Sequence, residues 1–299
     1  MLIQPIITVL TPTYNRIDTL PRLIESLCHQ TYRDFQWIVI DDGSTDNTEE
    51  LFKNLKEIEL PFDWEYHRKE NGGKHTALNF LHPYIKGEIV LILDSDDYLT
   101  PDAIETIESE WPEYRNQNDI CGMSYFKGLS ADTHLGPDNP KDFYISDHIH
   151  YRVNMNIKGD HCEVIRTDLL KKYPLPAYVD ECFMAESWLW NTVALNYKTV
   201  YRNKTIYICE YLENGLTKSG RALRMKSPLG MMDNCRSYLN DEVCLKIQIK
   251  EMLLYWVYAR CAGYSLAKTL QTSDRLIGMA LTALPGNILY WYWKRKYII

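Results

Sequence analysis

Three carboxylates follow directly after a run of five apolar residues. Ile89–Leu93 is typical of a strand buried on both faces, and Asp94, Asp96 and Asp97 come within the next four positions. Clustered acids beside a buried strand are unfavourable, because they repel one another and lose hydration. A bound cation would remove that penalty, and oxygen ligands suit Mg²⁺ or Mn²⁺, which in turn suit a diphosphate. The alternative is a solvated acidic turn in which Asp97 or Thr100 caps the next helix.

The same pattern occurs earlier in the chain. A predicted strand at Phe35–Ile40 is followed by Asp41 and Asp42, although Gly43 also fits a simple capped turn. A polar segment, residues 11–16, follows the first predicted strand. Because the carboxyl ends of parallel strands lie along one edge of a sheet, we expect these three loops to converge there.

The elements that would position these loops alternate between strand and helix through residue 127. This alternation predicts an α/β fold with a mostly parallel central sheet, right-handed crossovers and helices on both faces. One connection, Asn71–His75, contains two glycines that let the backbone approach a ligand. Its Lys74 can meet a phosphate.

Bulk properties exclude several classes of protein. The net charge of -7 argues against nucleic acid as a partner. The eight cysteines form no C-x₂-C pair, which favours reduced thiols over a disulfide framework or a zinc site. We expect a cytoplasmic protein, because the sequence shows no secretory signal and no run of 18 or more apolar residues.

Four ordered blocks resemble the nucleotide-sugar half of family 2 glycosyltransferases, which have the GT-A fold. They are ITVLTPTYNR at 7–16, WIVIDDGSTD at 37–46, NGGKHTALN at 71–79 and ILDSDDYLTPD at 92–102. A nucleotidyltransferase would also use such a sheet with Mg²⁺, but residues 11–16 lack the glycine-rich loop typical of those enzymes. No P-loop motif is present.

The resemblance implies roles for residues after the first two strands. Asp42 would accept a hydrogen bond from the base, Asp41 would support the loop, and Lys74 would lie near the base or the phosphates. Three residues would line the nucleobase and ribose pocket: Pro12, Thr13 and Tyr14.

The resemblance also makes Asp94-Ser95-Asp96 the family's DXD element. Asp94 would face the ribose, Asp96 would bind the divalent ion, and Asp97 would be a further acid nearby. A bound Mn²⁺ or Mg²⁺ would neutralise charge on the departing nucleoside diphosphate.

The second half offers two candidates for the general base. Residues 128–160 are rich in turn formers and are predicted to form a long loop or excursion with a strand near His150–Met155, and Asp160 stands at its end. The family often has Glu-Asp at its base position, where this chain has only Glu186, because Ser187 follows it. Glu186 is the predicted base, and Asp160 is the alternative, either as base or as acceptor ligand. An acid in the first turn of a helix is also a common structural feature.

Several more residues are candidates on weaker grounds. Trp188 would stack on a sugar if it is exposed, and would otherwise pack in the core. Two strands are predicted at Thr199–Tyr201 and Ile206–Tyr211. The polar loop after them would cover the active site by resemblance, where Lys218 and Arg221 could hold the diphosphate. A solvated loop is equally consistent with that composition.

The chain is predicted to be helical from Pro228 onward. Its tail, Ile288–Ile299, combines Trp and Tyr with Lys294, Arg295 and Lys296. That composition suits peripheral contact with a membrane surface, or packing on the same domain or on a second subunit in a homodimer.

The domains predicted from the sequence are a nucleotide-sugar-binding half (1–127), an acceptor-binding half (128–227) and a helical extension (228–299). The predicted function is an inverting, metal-dependent transfer of a sugar from a UDP-, GDP- or dTDP-sugar to a hydroxyl of a glycan or lipid-linked acceptor, in bacterial surface-polysaccharide synthesis. The alternatives are a non-catalytic protein that binds nucleotide sugars or glycans, and a transferase onto polyprenyl phosphate.

Overall fold

The computed structural model describes residues 5–209 and 216–297, except for the side chains of 216–219. The chain forms two compact units. The first unit comprises the described parts of Met1–Asp147 and Asn196–Tyr211, together with Ile157–Pro174. The second unit comprises His148–Asn156, Leu175–Leu195 and the described part of Leu212–Ile299. The three-part domain division stays a prediction.

The first unit is built on one mixed sheet. Its strands in the described residues are β1 (Ile7–Thr13), β2 (Gln36–Asp41), β3 (Asp63–Arg68), β4 (Ile89–Ile92), β5 (Tyr98–Leu99), β6 (Ile120–Ser130), β7 (Thr133–His134), β8 (Tyr144–Ser146), β9 (His161–Arg166) and β10 (Lys198–Ile208). The order across the sheet is β3-β2-β1-β4-β9-β6-β10-β5, with β7 beside β6 and β8 beside β10.

The α/β class is confirmed, but the sheet is parallel only in part. Strands β3, β2, β1 and β4 are parallel neighbours, so that Val9 pairs with both Trp37 and Leu91. Strand β9 then runs antiparallel to both β4 and β6. It enters after the excursion through residues 131–160, and antiparallel pairing does not require the crossover helix that a parallel strand needs. The sequence pattern contains no local signal for that reversal.

Five α-helices belong to the first unit in the part of the chain that the structure describes: α1 (Leu20–Cys28), α2 (Thr48–Leu55), α3 (Lys74–Phe80), α4 (Ala103–Glu110) and α5 (Thr167–Lys172). Alternate residues of β1 and β2, such as Val9 and Trp37, form one buried core with α1, α2 and α4. Leu23 and Leu27 of α1 are fully buried there, as their helical spacing predicts. Helix α3 packs on β1 and β2 through residues outside that core cluster.

Three predictions of secondary structure in the second half were wrong. The segment predicted as a polar loop after Tyr211 is helical over Leu216–Lys226. The segment predicted as a strand at His150–Met155 is a π-helical turn, Ile149–Asn154. Only Ile149 and Tyr151 are buried in it, and this spacing of two is the period of a strand, so the burial pattern does not reveal the helical turn. The two strands predicted around residues 199–211 are one strand, β10, which continues through irregular pairing with β6 between Tyr201 and Thr205.

The second unit is helical and confirms the predicted C-terminal helices. Its helices are α6 (Ser187–Ala194), α7 (Leu216–Lys226), α8 (Pro228–Ser237), α9 (Leu245–Cys261), α10 (Leu266–Gln271) and α11 (Leu276–Tyr297). Its core contains Met231 of α8, Tyr255 and Trp256 of α9, and Met279 and Trp293 of α11. None of the helices in the described ranges is long and apolar enough to cross a membrane. All eight cysteines are free thiols in the structure.

Candidate active site

The loops that follow β1 and β2 are joined by hydrogen bonds. The Asn15 amide donates to Ser44 Oγ at 2.9 Å, and the Thr45 amide donates to Asn15 Oδ1 at 2.7 Å. The Ile17 amide donates to Asp46 Oδ2 at 3.1 Å. Asn15 has a φ of 52°, a left-handed conformation that asparagine tolerates better than most residues. These contacts hold the two loops together at the carboxyl edge of the sheet.

The loop after β4 reaches the same edge. Arg16 Nη2 lies 3.5 Å from Asp96 Oδ2, and Arg22 Nη2 donates to the Asp96 carbonyl at 2.7 Å. The Thr19 hydroxyl donates to the carbonyl of Ser95, which is itself buried, at 2.7 Å. The predicted convergence of the three loops is therefore confirmed.

Asp41 and Asp42 both orient nearby loops. Asp41 is fully buried and accepts hydrogen bonds from the Ser44 amide and the Tyr66 hydroxyl, each at 2.7 Å. Asp42 accepts from Lys69 Nζ at 2.6 Å and from the Gly73 amide at 2.7 Å. Asp41 thus supports its loop, as the family resemblance implies. The Gly72 amide also donates to both Asp42 oxygens, at 3.1 and 3.3 Å, so a ligand would have to share or replace one of these bonds.

Gly73 brings Lys74 to the third loop. Its φ of 91° lies in the left-handed region, which glycine adopts without steric cost. Helix α3 begins at the next residue, and Lys74 Nζ donates to Asp94 Oδ1. The turn between β3 and α3 therefore connects Asp42 to Asp94 through consecutive residues.

Asp94 is held between two lysines. Besides Lys74, Lys127 Nζ lies 3.7 Å from Asp94 Oδ2 and 4.0 Å from the centre of the Tyr207 ring. Burial alone would raise the pKa of Asp94, but the two ammonium groups outweigh it and lower that pKa to about 2. Burial lowers the pKa of Lys127, but the charge of Asp94, together with the nearby Cys162 and Cys209 thiols, gives a net rise. Both groups of the pair are therefore charged at neutral pH.

Lys127 is a site residue that the sequence prediction missed. It lies on β6, whose side chains from Ile120 to Phe126 are all buried. A lysine is almost never buried without a partner, so a cation at the end of such a strand is the signal that could have identified it. Its partner is 33 positions earlier in the chain, and the sequence pattern alone does not reveal that pairing.

Asp97 does not cap the following helix. Its amide donates to the Asp94 carbonyl at 3.1 Å in a turn, and helix α4 begins at Ala103 with Asp102 in the capping position. The Thr100 hydroxyl donates to Asp102 Oδ1 at 2.8 Å. Burial, and then the neighbouring Asp94 charge, raise the pKa of Asp97 to about 6. The solvated-turn alternative is therefore wrong for Asp97.

Asp96 has a chemistry that fits a divalent cation. Its side chain is 26% exposed, and the partner of its carboxylate is the Arg16 guanidinium, 3.5 Å away. Among the described residues, no group of three or more His, Cys, Asp and Glu side chains could hold a metal ion. Mg²⁺ is commonly bound by one or two carboxylates together with substrate phosphates, and Asp96 suits that arrangement.

The three residues expected to line the nucleobase and ribose pocket lie where β1 ends. Pro12 and Thr13 are buried within the strand, and the Thr13 carbonyl accepts from the Asp42 amide at 2.9 Å. Tyr14, the next residue, is 44% exposed. Of these three residues, Tyr14 therefore has a side chain accessible to a ligand.

Asp160 lies beside the lysine–aspartate pair in the first unit. It is exposed, and its carbonyl accepts a hydrogen bond from the Lys127 amide at 3.2 Å. Burial, and then the charges of Asp97, Asp160 and Asp94, raise the pKa of Cys209 to about 12 against the opposing effect of Lys127. These charged groups are therefore all within electrostatic reach of Cys209.

The remaining candidates belong to the second unit. Glu186 immediately precedes α6, and its carbonyl accepts from the Leu189 amide at 2.9 Å. Trp188 is half-buried, so it is neither a core residue nor fully exposed. Arg221 donates to the Tyr297 hydroxyl at 3.0 Å. The side chain of Lys218 lies outside the described residues.

The family follows from comparison with known proteins. A model described as "Glycosyl transferase family 2" matches residues 8–174, more than half of the chain. This chain belongs to glycosyltransferase family 2. The matched range contains all of the four sequence blocks on which the resemblance depends, except for Ile7 at the start of the first.

A curated relative comes from Campylobacter jejuni subsp. jejuni serotype O:2. It is "GalNAc(5)-diNAcBac-PP-undecaprenol beta-1,3-glucosyltransferase", and the two chains are 26% identical over 219 residues. The alignment covers 69% of this chain and 62% of that relative. Other curated relatives are matched over smaller shares of their length, such as 18% of "Glycosyltransferase GlyA" from Streptococcus pneumoniae. The chain therefore spans less than two thirds of these relatives.

Solved structures confirm the fold. S. aureus TarS 1-349 in complex with UDP-GlcNAc superposes with a TM-score of 0.59 and 19% identity, over 92% of this chain and 75% of TarS 1-349. The mannosyltransferase PcManGT from Pyrobaculum calidifontis, in complex with GDP-Man and Mn²⁺, gives 0.58 and 18%, over 99% and 85%. At this level of identity the likeness establishes the GT-A fold.

Proposed function

We propose that this chain transfers a sugar from a nucleoside-diphosphate sugar to a hydroxyl of a glycan or lipid-linked acceptor, with inversion at the anomeric carbon. The observation that carries the proposal is the arrangement at the end of β4, where Lys74 and Lys127 hold Asp94 ionised beside Asp96. Two structural neighbours are complexes with UDP-GlcNAc and with GDP-Man. The name of the Campylobacter relative includes an undecaprenol-linked acceptor, which supports a lipid-linked acceptor here.

The donor would bind along the carboxyl edge of the first unit's sheet. An ionised Asp94 only accepts hydrogen bonds, which suits the hydroxyls of a ribose. The exposed ring of Tyr14 would stack on the base, and an Asp42 oxygen would accept from a base N–H group in exchange for one of its present hydrogen bonds. Lys74 and Lys127 would place positive charge near the diphosphate.

Transfer would proceed by a single displacement. A carboxylate would take the proton of the acceptor hydroxyl, and the oxygen would form a bond to the anomeric carbon. The bond from that carbon to the phosphate oxygen would break on the opposite face, so that the nucleoside diphosphate leaves with the electron pair. A divalent cation held by Asp96 would supply charge neutralisation for that leaving group. The ammonium groups of Lys74 and Lys127 would also stabilise the negative charge of the leaving group.

Two carboxylates are proposed for proton removal. Glu186 is the first choice, since it stands at the position of the family's base. Asp160 is the second, since its backbone is bonded to Lys127 and its charge acts near Asp94 and Asp97. They lie in different units, so substitutions of the two can be compared without disturbing one shared element.

A donor panel tests the proposal. UDP-, GDP- and dTDP-sugars are incubated with the full chain, Mn²⁺ and either glycan or polyprenyl-linked acceptors, and release of the nucleotide is measured. We expect acceptor-stimulated release from at least one donor. Tight calorimetric binding of a donor, with no release from any donor under any acceptor condition, would identify a binding protein instead. A phosphate rather than a hydroxyl as the acceptor would identify the polyprenyl-phosphate alternative.

A further inference from the structure

One side of α11 carries large apolar side chains in solvent. The α11 outer face is defined by its exposed residues: Leu276, Ile277, Leu281, Leu284, Ile288, Trp291 and Tyr292. Ile277 and Leu281 are 81% and 78% exposed, and the two aromatic residues are more than half exposed. No charged residue occurs between 276 and 292. Contiguous apolar surface of this kind usually marks an interaction site.

The opposite side of α11 is fixed against the second unit's core. Met279, Tyr290 and Trp293 are buried, and the Met279 carbonyl accepts from Trp256 Nε1 at 3.0 Å. At Gly286, α11 lies so close to α9 that a Cβ added to Gly286 would be 2.5 Å from the Trp256 Cβ. The helix therefore cannot rotate to bury its outer face without losing this packing.

A basic and aromatic cluster lies at the end of α11. It is defined as Lys294, Arg295 and Lys296, together with Arg221 of α7 and the aromatic rings beside these four residues. Lys294 Nζ lies 5.5 Å from the Trp291 ring centre, and Lys296 Nζ lies 5.9 Å from that of Tyr292. Arg221 lies 5.2 Å from the Trp293 ring centre. The chain as a whole carries a net charge of -7, so this concentration of cations is a local feature.

The width of the outer face distinguishes between occupants. At about 100° per residue, all the exposed positions of α11 between Leu276 and Pro285 together extend over about half of the helix circumference. A coiled-coil seam with a second copy would use a narrower stripe at two positions per heptad. A helix lying in a lipid interface uses a broad apolar side, with Trp and Tyr at the boundary and cations facing anionic headgroups.

We propose that the α11 outer face and its basic cluster dock on an anionic lipid bilayer, with the helix lying in the plane of the interface. Apolar side chains enter the boundary of the acyl region, and Arg295 and Lys296 meet phosphate headgroups. This surface would hold the enzyme where a lipid-linked acceptor is available. Docking itself requires neither donor nor acceptor, so it is tested apart from sugar transfer.

The test is co-sedimentation of the full chain with phosphatidylcholine vesicles that contain or lack phosphatidylglycerol. We expect binding to the anionic vesicles that weakens as salt is added, because exposed charges are screened. The double substitution Leu281→Gln/Leu284→Gln should weaken it at least about tenfold, since it removes two apolar side chains from the buried area. Arg295→Gln/Lys296→Gln should weaken it by about tenfold or more on anionic vesicles only.

Matched substitutions on the first unit serve as controls: Ile58→Gln for the apolar pair and Arg33→Gln/Lys56→Gln for the basic pair. Circular dichroism and thermal unfolding verify folding, which should be preserved because all the substituted side chains are largely exposed. Equal sedimentation with and without phosphatidylglycerol, or binding that the α11 substitutions leave unchanged, would overturn the proposal. So would a dimer in analytical ultracentrifugation that Leu281→Gln/Leu284→Gln dissociates, since a second copy would then cover the face.

Discussion

The two units differ in what their exposed surfaces are made of. At the carboxyl edge of the first unit, acids and cations are joined in specific pairs, such as Asp94 with Lys74 and Lys127. In the second unit, α11 presents a broad apolar side with cations only at its end. Polar pairing of the first kind is directional and suits recognition of one small ligand. An apolar surface is non-directional and suits a large, fluid partner.

The largest effect is expected for Glu186, the residue proposed as the base, and its substitution tests whether the chemistry depends on the first unit alone. Glu186→Gln should lower kcat about 10²- to 10⁴-fold while donor binding is kept, because only proton removal is lost. Nucleotide release and calorimetry on the same preparation measure the two quantities. Near-normal turnover of Glu186→Gln, with the loss found in Asp160→Asn instead, would assign the base to the first unit.

Lys127→Met tests the role of the ion pair between Lys127 and Asp94. Removing this cation leaves Asp94 with one lysine, so its pKa should rise from about 2 towards its ordinary value. We expect donor affinity to fall by roughly 10-fold or more, because a charge-assisted contact is lost. Lys204→Met, which removes a lysine paired with Asp102 rather than with Asp94, is the matched control. Equal donor affinity in the two variants would contradict the assigned role.

Acid sensitivity is expected in the second unit. Burial, and then the Arg152 charge, lower the pKa of His148 to about 3. Between the ordinary histidine pKa and that value, the unfolded chain takes up a proton that the folded chain does not, so stability falls as the pH falls. The loss at pH 5 would be about 2 kcal/mol. Thermal unfolding at pH 7 and pH 5 should show a smaller loss in His148→Gln than in the wild type, whereas His29→Gln should behave like the wild type.

A pair of glycines gives the smallest expected effect. Gly43 has a φ of 80°, and an added Cβ would lie 2.8 Å from the Asn71 amide nitrogen. Gly43→Ala should therefore destabilise the chain by at least about 1 kcal/mol. Gly220, on helix α7, has open space around it, so Gly220→Ala should stabilise by up to about 1 kcal/mol. Urea unfolding of both variants measures this contrast, and equal midpoints would contradict it.

The sequence predicted the first unit better than the second for physical reasons. An acid after a buried strand is a local signal, and so Asp42, Asp94 and Asp96 could be found without coordinates. Lys127 could not be paired with Asp94, because the pairing depends on β9 entering the sheet between β4 and β6. The strand predicted near His150 is instead a helical turn, although its two buried side chains, Ile149 and Tyr151, have the spacing of a strand.

For the second unit, the amino-acid composition was the only signal that the sequence supplied. The aromatic and basic tail was identified from its residue types, but which side of α11 is buried depends on its close packing against Trp256 at Gly286. That contact joins residues 30 positions apart. Periodicity within α11 does not reveal it, because apolar residues occur on both of its sides.

Calorimetric titration of nucleoside diphosphates tests the central claim most directly. UDP, GDP and dTDP are titrated with and without Mn²⁺ into the wild type, Asp96→Ala and the control Asp18→Ala. The account predicts that at least one nucleotide binds the wild type and Asp18→Ala more tightly with Mn²⁺, and that Asp96→Ala loses this enhancement. Binding of none of the three nucleotides, or an undiminished Mn²⁺ effect in Asp96→Ala, would contradict a donor site at the carboxyl edge of this sheet.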